Sequence, residues 1–392
     1  MRSGMTVPTS ASTAKVARGA AYLRPRAVPG AVRIAATVPP AVDGARIGAG
    51  TQESTGPECP TERAHRRVTL PTPMPNPTEP PFAFIIGCPR SGTTLLRAML
   101  DSHPGVAVPP EAYFTVRALR RAARYGERTA FDRAALLEDI RGDVAWPKWS
   151  FDDARLEPIA GDASLTTVPA VLRAIYDEYA RGEGKARSID KTPRNTEHVS
   201  LLDGAFPGAR FVHLVRDGRD VLPSLRSMPH FPSGFAEATL FWRDRAVSGR
   251  DARRVVGTSR YHELRYEDLV TDPERHLVPL CEFLGLEYDP AMLDYPRRAE
   301  AVMAGTVGET FHGNLRRAPT RTRDWRQDLS AGEVERFEAL AGDALGMFGY
   351  ERGPQPALRL RAEALGRHGA AVAGHGARIL RARVRRLLPG RA

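Results

Sequence analysis

The chain has 392 residues, 42% of them hydrophobic, enough for one large globular domain with extensions. Its net charge of +11 invites a nucleic-acid reading, but residues 1–42 carry six bases and no acid and residues 355–392 carry a net +8, which leaves −3 for residues 43–354. Three scattered cysteines (Cys59, Cys88, Cys281) argue against a disulfide framework or a zinc site, and no apolar run approaches the ~20 residues of a membrane-spanning helix.

Residues 1–80 are rich in Ala, Pro, Thr and Arg and show no sustained period; we expect disorder there. An acid-free, Arg-bearing start also suits an organellar transit peptide, or sequence ahead of a start at Met74. Order is expected from Phe82, where Phe-Ala-Phe-Ile-Ile (82–86) reads as a strand buried on both faces. A turn follows, then a helix over 93–102 with Leu95, Leu96, Met99 and Leu100 on one face. Further helices are expected at 112–125, 131–141 and 166–181, a short strand at 187–190 and a weak helix at 196–205. Arg210-Phe-Val-His-Leu-Val215 is the second clear buried strand, with a helix starting near Arg219. Helices at 235–253, 273–284 and 331–345 and a strand at 261–266 complete a body over 81–353. Strands alternating with helices imply an α/β fold with a mostly parallel sheet. The tail over 354–392 sets apolar residues among arginines. We expect a solvated basic helix, with peripheral membrane contact, packing on the body or an oligomer contact as alternatives. With nothing near Met1 resembling a secretory segment, the expected location is the cytoplasm.

Gly87-Cys-Pro-Arg-Ser-Gly-Thr-Thr94 lies between a buried strand and a helix. Its glycines allow a tight turn, and the helix start offers unpaired N–H groups and a positive dipole end, so the segment can cradle an anion. The spacing matches the Walker A pattern except that Thr93 replaces the lysine. A donor without a γ-phosphate needs neither that lysine nor the magnesium held beside it, and Arg90 offers a planar fork for an anionic group. The segment through His103 and Pro104 resembles the 5′-phosphosulfate-binding segment of the sulfotransferase family, and is most similar to the branch containing protein-tyrosine sulfotransferases and many bacterial sulfotransferases. The resemblance implies a P-loop-like parallel sheet flanked by helices. It also implies 3′-phosphoadenosine 5′-phosphosulfate (PAPS) as co-substrate, with Arg90, Ser91, Gly92, Thr93 and Thr94 at its 5′ end and no catalytic metal.

Phe211 to Ser224 is a second strand–turn–helix segment, with Arg216 and Ser224 eight residues apart. It is similar to the family's 3′-phosphate-binding segment, which implies that Arg216 and Ser224 take that phosphate. The competing reading pairs Arg216 with Asp217 or Asp220 as a surface salt bridge. For a base the best residue is Glu111, in Val-Pro-Pro-Glu-Ala-Tyr, at a place matching the catalytic glutamate of the tyrosine-sulfotransferase branch. Lys191 stands out because only four of the 57 basic residues are lysine; with Arg90 it would stabilise charge on the transferring group, unless it is an exposed loop lysine. His103 and His213 are expected to be structural. Tyr266 resembles a family position near the adenine, and the segment from His312 to Trp325 a loop that closes over the nucleotide. There Asp324 stands where relatives carry a base, so Arg323 or Arg326 must substitute. Two other functions fit the same motifs: a nucleotide-dependent kinase with a degenerate P-loop, and a non-catalytic nucleotide-binding protein. The acceptor is open between carbohydrate, lipid, small metabolite and protein tyrosine.

Overall fold

The computed structural model describes residues 81–126, 128–228, 230–304, 313–316 and 323–353. The expected extension over 1–80, the basic tail over 354–392 and much of the expected closing loop lie outside the described residues. Strands β1 (Ala83–Ile86), β2 (Val106–Ala107), β3 (Arg187–Lys191), β4 (Arg210–Val215) and β5 (Tyr261–Arg265) form one five-stranded sheet in the order β2-β3-β1-β4-β5. Every pairing is parallel. The helices in chain order are α1 (Thr93–Asp101), α2 (Tyr113–Arg120), α3 (Arg133–Arg141), α4 (Asp153–Gly161), α5 (Val168–Gly182), α6 (Val199–Ala205), α7 (Gly218–Arg226), α8 (Phe235–Val256), α9 (Tyr266–Thr271), α10 (Pro273–Leu284), α11 (Ala299–Ala304), α12 (Trp325–Asp328) and α13 (Ala331–Met347).

A parallel sheet is covered on both faces, and the side chains of β1 and β4 divide accordingly. Phe84, Ile86 and Phe211 enter one apolar cluster with residues of α2, α5 and α6, while Ala83, Ile85, Val212 and Leu214 enter another with residues of α1 and α10. Phe84 and Phe211 are fully buried with their rings stacked 5.3 Å apart. Burying each such ring contributes about 1.5–3 kcal/mol. A third cluster joins α7, α8 and α13 through Val221, Leu225, Trp242 and Phe337.

The expected elements recur with shifted ends. Thr167 caps α5 by accepting from the Ala170 N–H, and Asp132 caps α3 the same way from Ala135. Helix α4 was not expected, since Pro158 sits inside it, and β2 is only two residues long. One boundary matters for chemistry: β3 runs one residue further than expected, so Lys191 is the last residue of a strand. The carboxyl ends of β1, β3, β4 and β5 thus deliver Gly87, Lys191, Arg216 and Tyr266 to one edge of the sheet, where open α/β folds bind ligands.

Candidate active site

The turn after β1 is held in an unusual backbone shape. Gly87 and Gly92 have φ of 152° and 95°, and Arg90, without being glycine, has φ of 73°. A Cβ on Gly87 would lie 2.3 Å from the Leu214 carbonyl oxygen, and one on Gly92 2.3 Å from the Tyr266 ring, so only glycine fits either place. A left-handed arginine costs on the order of 1–3 kcal/mol, a strain typical of ligand clamps. Thr196 fixes the turn from the side, its hydroxyl accepting the Gly87 N–H at 2.8 Å. Ser91 is fully buried, and its Oγ has no hydrogen-bond partner among the described residues. Burial pushes the Cys88 thiol in the same turn up to about 12, which leaves it a neutral packing group.

Arg90 reaches across to α7, donating from Nε to the Ser224 hydroxyl at 2.9 Å. Burial and the neighbouring charges of Arg216 and Arg323 all lower its pKa. The two segments read as anion sites, 134 residues apart in sequence at this contact, therefore meet in one place. Arg216 is 6% exposed, and its Nε and Nη2 lack hydrogen-bond partners among the described residues. Its Nη2 keeps a 3.8 Å ion contact with Asp220, and its guanidinium lies 4.4 Å from the Tyr266 ring. Of the two expected salt-bridge partners, Asp217 goes to Arg219, with Nη2 at 2.7 Å from Oδ2, and the pair with Asp220 is long and buried instead of lying on the surface. Buried N–H groups with nothing to donate to are costly, and an anion would satisfy them. Arg216 and Ser91 thus leave donors for an anion at each of the two segments.

Glu111 and Lys191 form the other half. Lys191 Nζ donates to Glu111 Oε1 at 2.7 Å, and Tyr113 donates its hydroxyl to Oε2. The Lys191 side chain is 0% exposed and that of Glu111 15%, which excludes an exposed loop lysine. Burial works to raise the Glu111 carboxyl, but the Lys191 charge and hydrogen bond, the Tyr113 hydroxyl and Arg97 outweigh it and hold it below its ordinary value. Burial lowers the Lys191 ammonium, against the pull of Glu111.

A family profile described as the sulfotransferase family matches residues 81–290, a span that holds both phosphate-site segments, Glu111, Lys191 and Tyr266. The chain belongs to the sulfotransferase family. Among curated proteins it is similar to the protein-tyrosine sulfotransferase of Drosophila melanogaster, 29% identical over 55% of this chain and 40% of that protein. The nodulation protein NoeE of Sinorhizobium fredii is 28% identical over 71% of this chain and 68% of that protein. The chain spans about half the length of the tyrosine sulfotransferases it matches. Among solved structures, the sulfotransferase domain of the Synechococcus PCC 7002 olefin synthase is 24% identical over 71% of this chain and 98% of that one, with a TM-score of 0.46.

For a sulfotransferase, the arrangement brings Arg90, Ser91, Gly92, Arg216, Ser224 and Tyr266 together, with Thr93 and Thr94 buried at the start of α1. Tyr266 is buried between Gly92 and Arg216, a spacer between the two anion segments. Of the two arginines flanking the loop's end, Arg323 is the one whose charge acts on Arg90; Arg326 pairs outward with Glu351 at 3.0 Å. Trp325 is tied to α7 by its N–H, donated to Asp220 Oδ1 at 2.7 Å, and by Arg219 over its ring at 4.0 Å. His103 and His213 are structural: His103 links the Glu287 carbonyl to the Gly105 N–H, and buried His213 meets the Tyr261 hydroxyl. Sequence reasoning missed Tyr113, Asp190 and Thr192. The run Asp190-Lys-Thr-Pro beside the conspicuous lysine was the one signal for the last two.

Proposed function

We propose that residues 81–353 form a catalytic domain that transfers a sulfuryl group from PAPS to an acceptor hydroxyl. The observation that carries this reading is the Arg90–Ser224 hydrogen bond at 2.9 Å, which makes the two anion-binding segments neighbours. In this reading the Ser91–Thr94 amides and hydroxyls bind the 5′-phosphate, and Arg216 with Ser224 binds the 3′-phosphate. Tyr266 lies near the adenine and Arg323 closes over the nucleotide. Glu111 takes the acceptor proton as the acceptor oxygen attacks sulfur. The new S–O bond forms while the bond from sulfur to the 5′-phosphate oxygen breaks. Its electron pair leaves with adenosine 3′,5′-bisphosphate. Arg90 and Lys191 stabilise the charge that develops on the sulfuryl and bridging oxygens. No metal is required in this scheme. We place the reaction in the cytoplasm, a reading supported by the two free cysteines of the body and by the absence, among the described residues, of a helix long and apolar enough to cross a membrane.

Calorimetric titration with adenosine 3′,5′-bisphosphate, with and without magnesium, tests the donor site. Metal-independent binding is expected. Tighter binding of magnesium–ATP would overturn the reading in favour of a kinase. Isotope-labelled PAPS supplied with candidate acceptors then tests transfer, and binding without turnover on any acceptor class would favour a non-catalytic role.

A further inference from the structure

The carboxyl end of β3 does more than present Lys191. Asp190 is fully buried and accepts three hydrogen bonds, from the Tyr176 hydroxyl at 2.6 Å, Asn195 Nδ2 at 2.7 Å and the Thr192 hydroxyl at 3.0 Å. Burial pushes the Asp190 carboxyl up to about 6, while the three donors favour its ionised form. Thr192 is 1% exposed, and its hydroxyl proton is committed to Asp190. Its oxygen lone pair is thereby aimed outward, where it accepts the Ala112 N–H at 2.9 Å, 80 residues away in sequence. Ala112 is fully buried and follows Glu111 directly. The same three-residue stretch therefore grips the Glu111 segment twice: Lys191 on the carboxylate and Thr192 on the next backbone amide.

We infer that Asp190 and Thr192 are positioning residues that fix Glu111 against Lys191 through the Ala112 amide. This rests on the role proposed above for Glu111, but its geometry does not. The chain of contacts runs Tyr176 and Asn195 to Asp190, Asp190 to Thr192, Thr192 to Ala112, and through one peptide to Glu111. Every member from Tyr176 and Asn195 to Ala112 is buried, so these bonds are shielded from water. Without the Thr192 hydroxyl the Glu111–Ala112 stretch loses its backbone bond to the end of β3, and the carboxylate is held there through its side-chain bonds to Lys191 and Tyr113 alone among the described residues. A displacement of about 1 Å at such a group costs on the order of 10²-fold in rate.

The test compares Thr192→Val, which keeps the shape and removes the hydroxyl, with Thr192→Ser, which keeps the hydroxyl. Two readouts are taken: kcat with labelled PAPS, and the ionisation of Glu111 followed by NMR of carboxyl-labelled glutamate. For Thr192→Val we expect kcat to fall on the order of 10²-fold with bisphosphate Kd unchanged, and the Glu111 pKa to rise as its contact with Lys191 loosens. Thr192→Ser should restore both. Equal loss in the two variants, or an unmoved Glu111 titration in Thr192→Val, would overturn the inference. Asp190→Asn is the second variant should Val not fold. With its amide carbonyl toward Tyr176 and Thr192, and the Asn195 amide turned over, the bonds can re-form, so Glu111 should titrate nearly as in the natural chain. A large rise there would show that charge, and not placement, is what Asp190 supplies. If the protein neither binds the bisphosphate nor turns over, the proposed function fails, while the Glu111 titration still decides this inference.

Discussion

The two halves of the site differ in how complete they are. On the α1 and α7 side, the buried Ser91 hydroxyl and two N–H groups of buried Arg216 have no hydrogen-bond partner among the described residues. On the β3 side, Glu111 carries Lys191 on one oxygen and Tyr113 on the other, and Asp190 carries three donors. On the function proposed above, the first half is an anion site, and its partnerless donors suit that role. The second has its carboxylates hydrogen-bonded by partners within the chain. On the proposed function the difference separates their tasks: one half would gain its stabilisation from the ligand, and the other would be preorganised for a proton and for developing charge.

The strongest way to break this comparison is Glu111→Gln. It should keep bisphosphate affinity and lower turnover by about 10²–10⁴-fold, the range for a general base; full activity would remove Glu111 from the chemistry. Lys191→Met comes next, with a loss of kcat on the order of 10²-fold expected from removing one charge-stabilising donor. It also has a pH signature. Burial raises the Glu111 carboxyl and Lys191 is the chief force lowering it. In the natural chain the active carboxylate therefore persists as pH falls to below the ordinary value of 4.5. Without Lys191 the lowering force is lost, the pKa rises, and the acid limb of the pH–rate profile moves to higher pH. An unmoved limb would mean that the ion pair does not set the base. Arg216→Met sharpens the contrast from the other side. It should weaken bisphosphate binding by about 2 kcal/mol, roughly 30-fold. It should leave the Tm of the ligand-free protein unchanged or higher, since a buried guanidinium with unsatisfied N–H groups is replaced by an apolar chain of similar size.

Legibility in the sequence follows the range of the interactions. β1 and β4 are continuous apolar runs and were readable alone, as was the Gly87–Thr94 turn from its glycines, though not the Leu214 carbonyl and Tyr266 ring that close on them. Arg90, Arg216 and Ser224 could be singled out from their strand–turn–helix segments, though not the direct bond that joins two of them. Helix α4 and the two-residue β2 were hidden because Pro158 and the shortness of β2 contradict local propensity, and tertiary packing overrides it. The Thr192–Ala112 bond spans 80 residues and the Trp325–Asp220 bond 105, and each joins a side chain to a backbone amide. Such bonds leave no periodic mark. Placing Lys191 inside depended on a single residue of strand length.

The smallest expected effect is the one that decides whether the two segments serve a single ligand. Ser224→Ala removes a neutral acceptor from a charged donor, and the expected cost is about 1 kcal/mol, roughly a fivefold weaker Kd for adenosine 3′,5′-bisphosphate. The oxygen at Ser224 already receives Arg90 Nε. Its hydroxyl proton is therefore directed elsewhere, available to an anion beside Arg216. Adenosine 5′-phosphate lacks the 3′-phosphate and should bind the Ala variant as well as the natural chain. An equal loss for both nucleotides would mean that Ser224 acts only by steadying Arg90 in the first half. A loss confined to the bisphosphate places the hydroxyl on the 3′-phosphate itself, and then the bond between Arg90 and Ser224 is the seam along which one nucleotide spans the two strand–turn–helix segments.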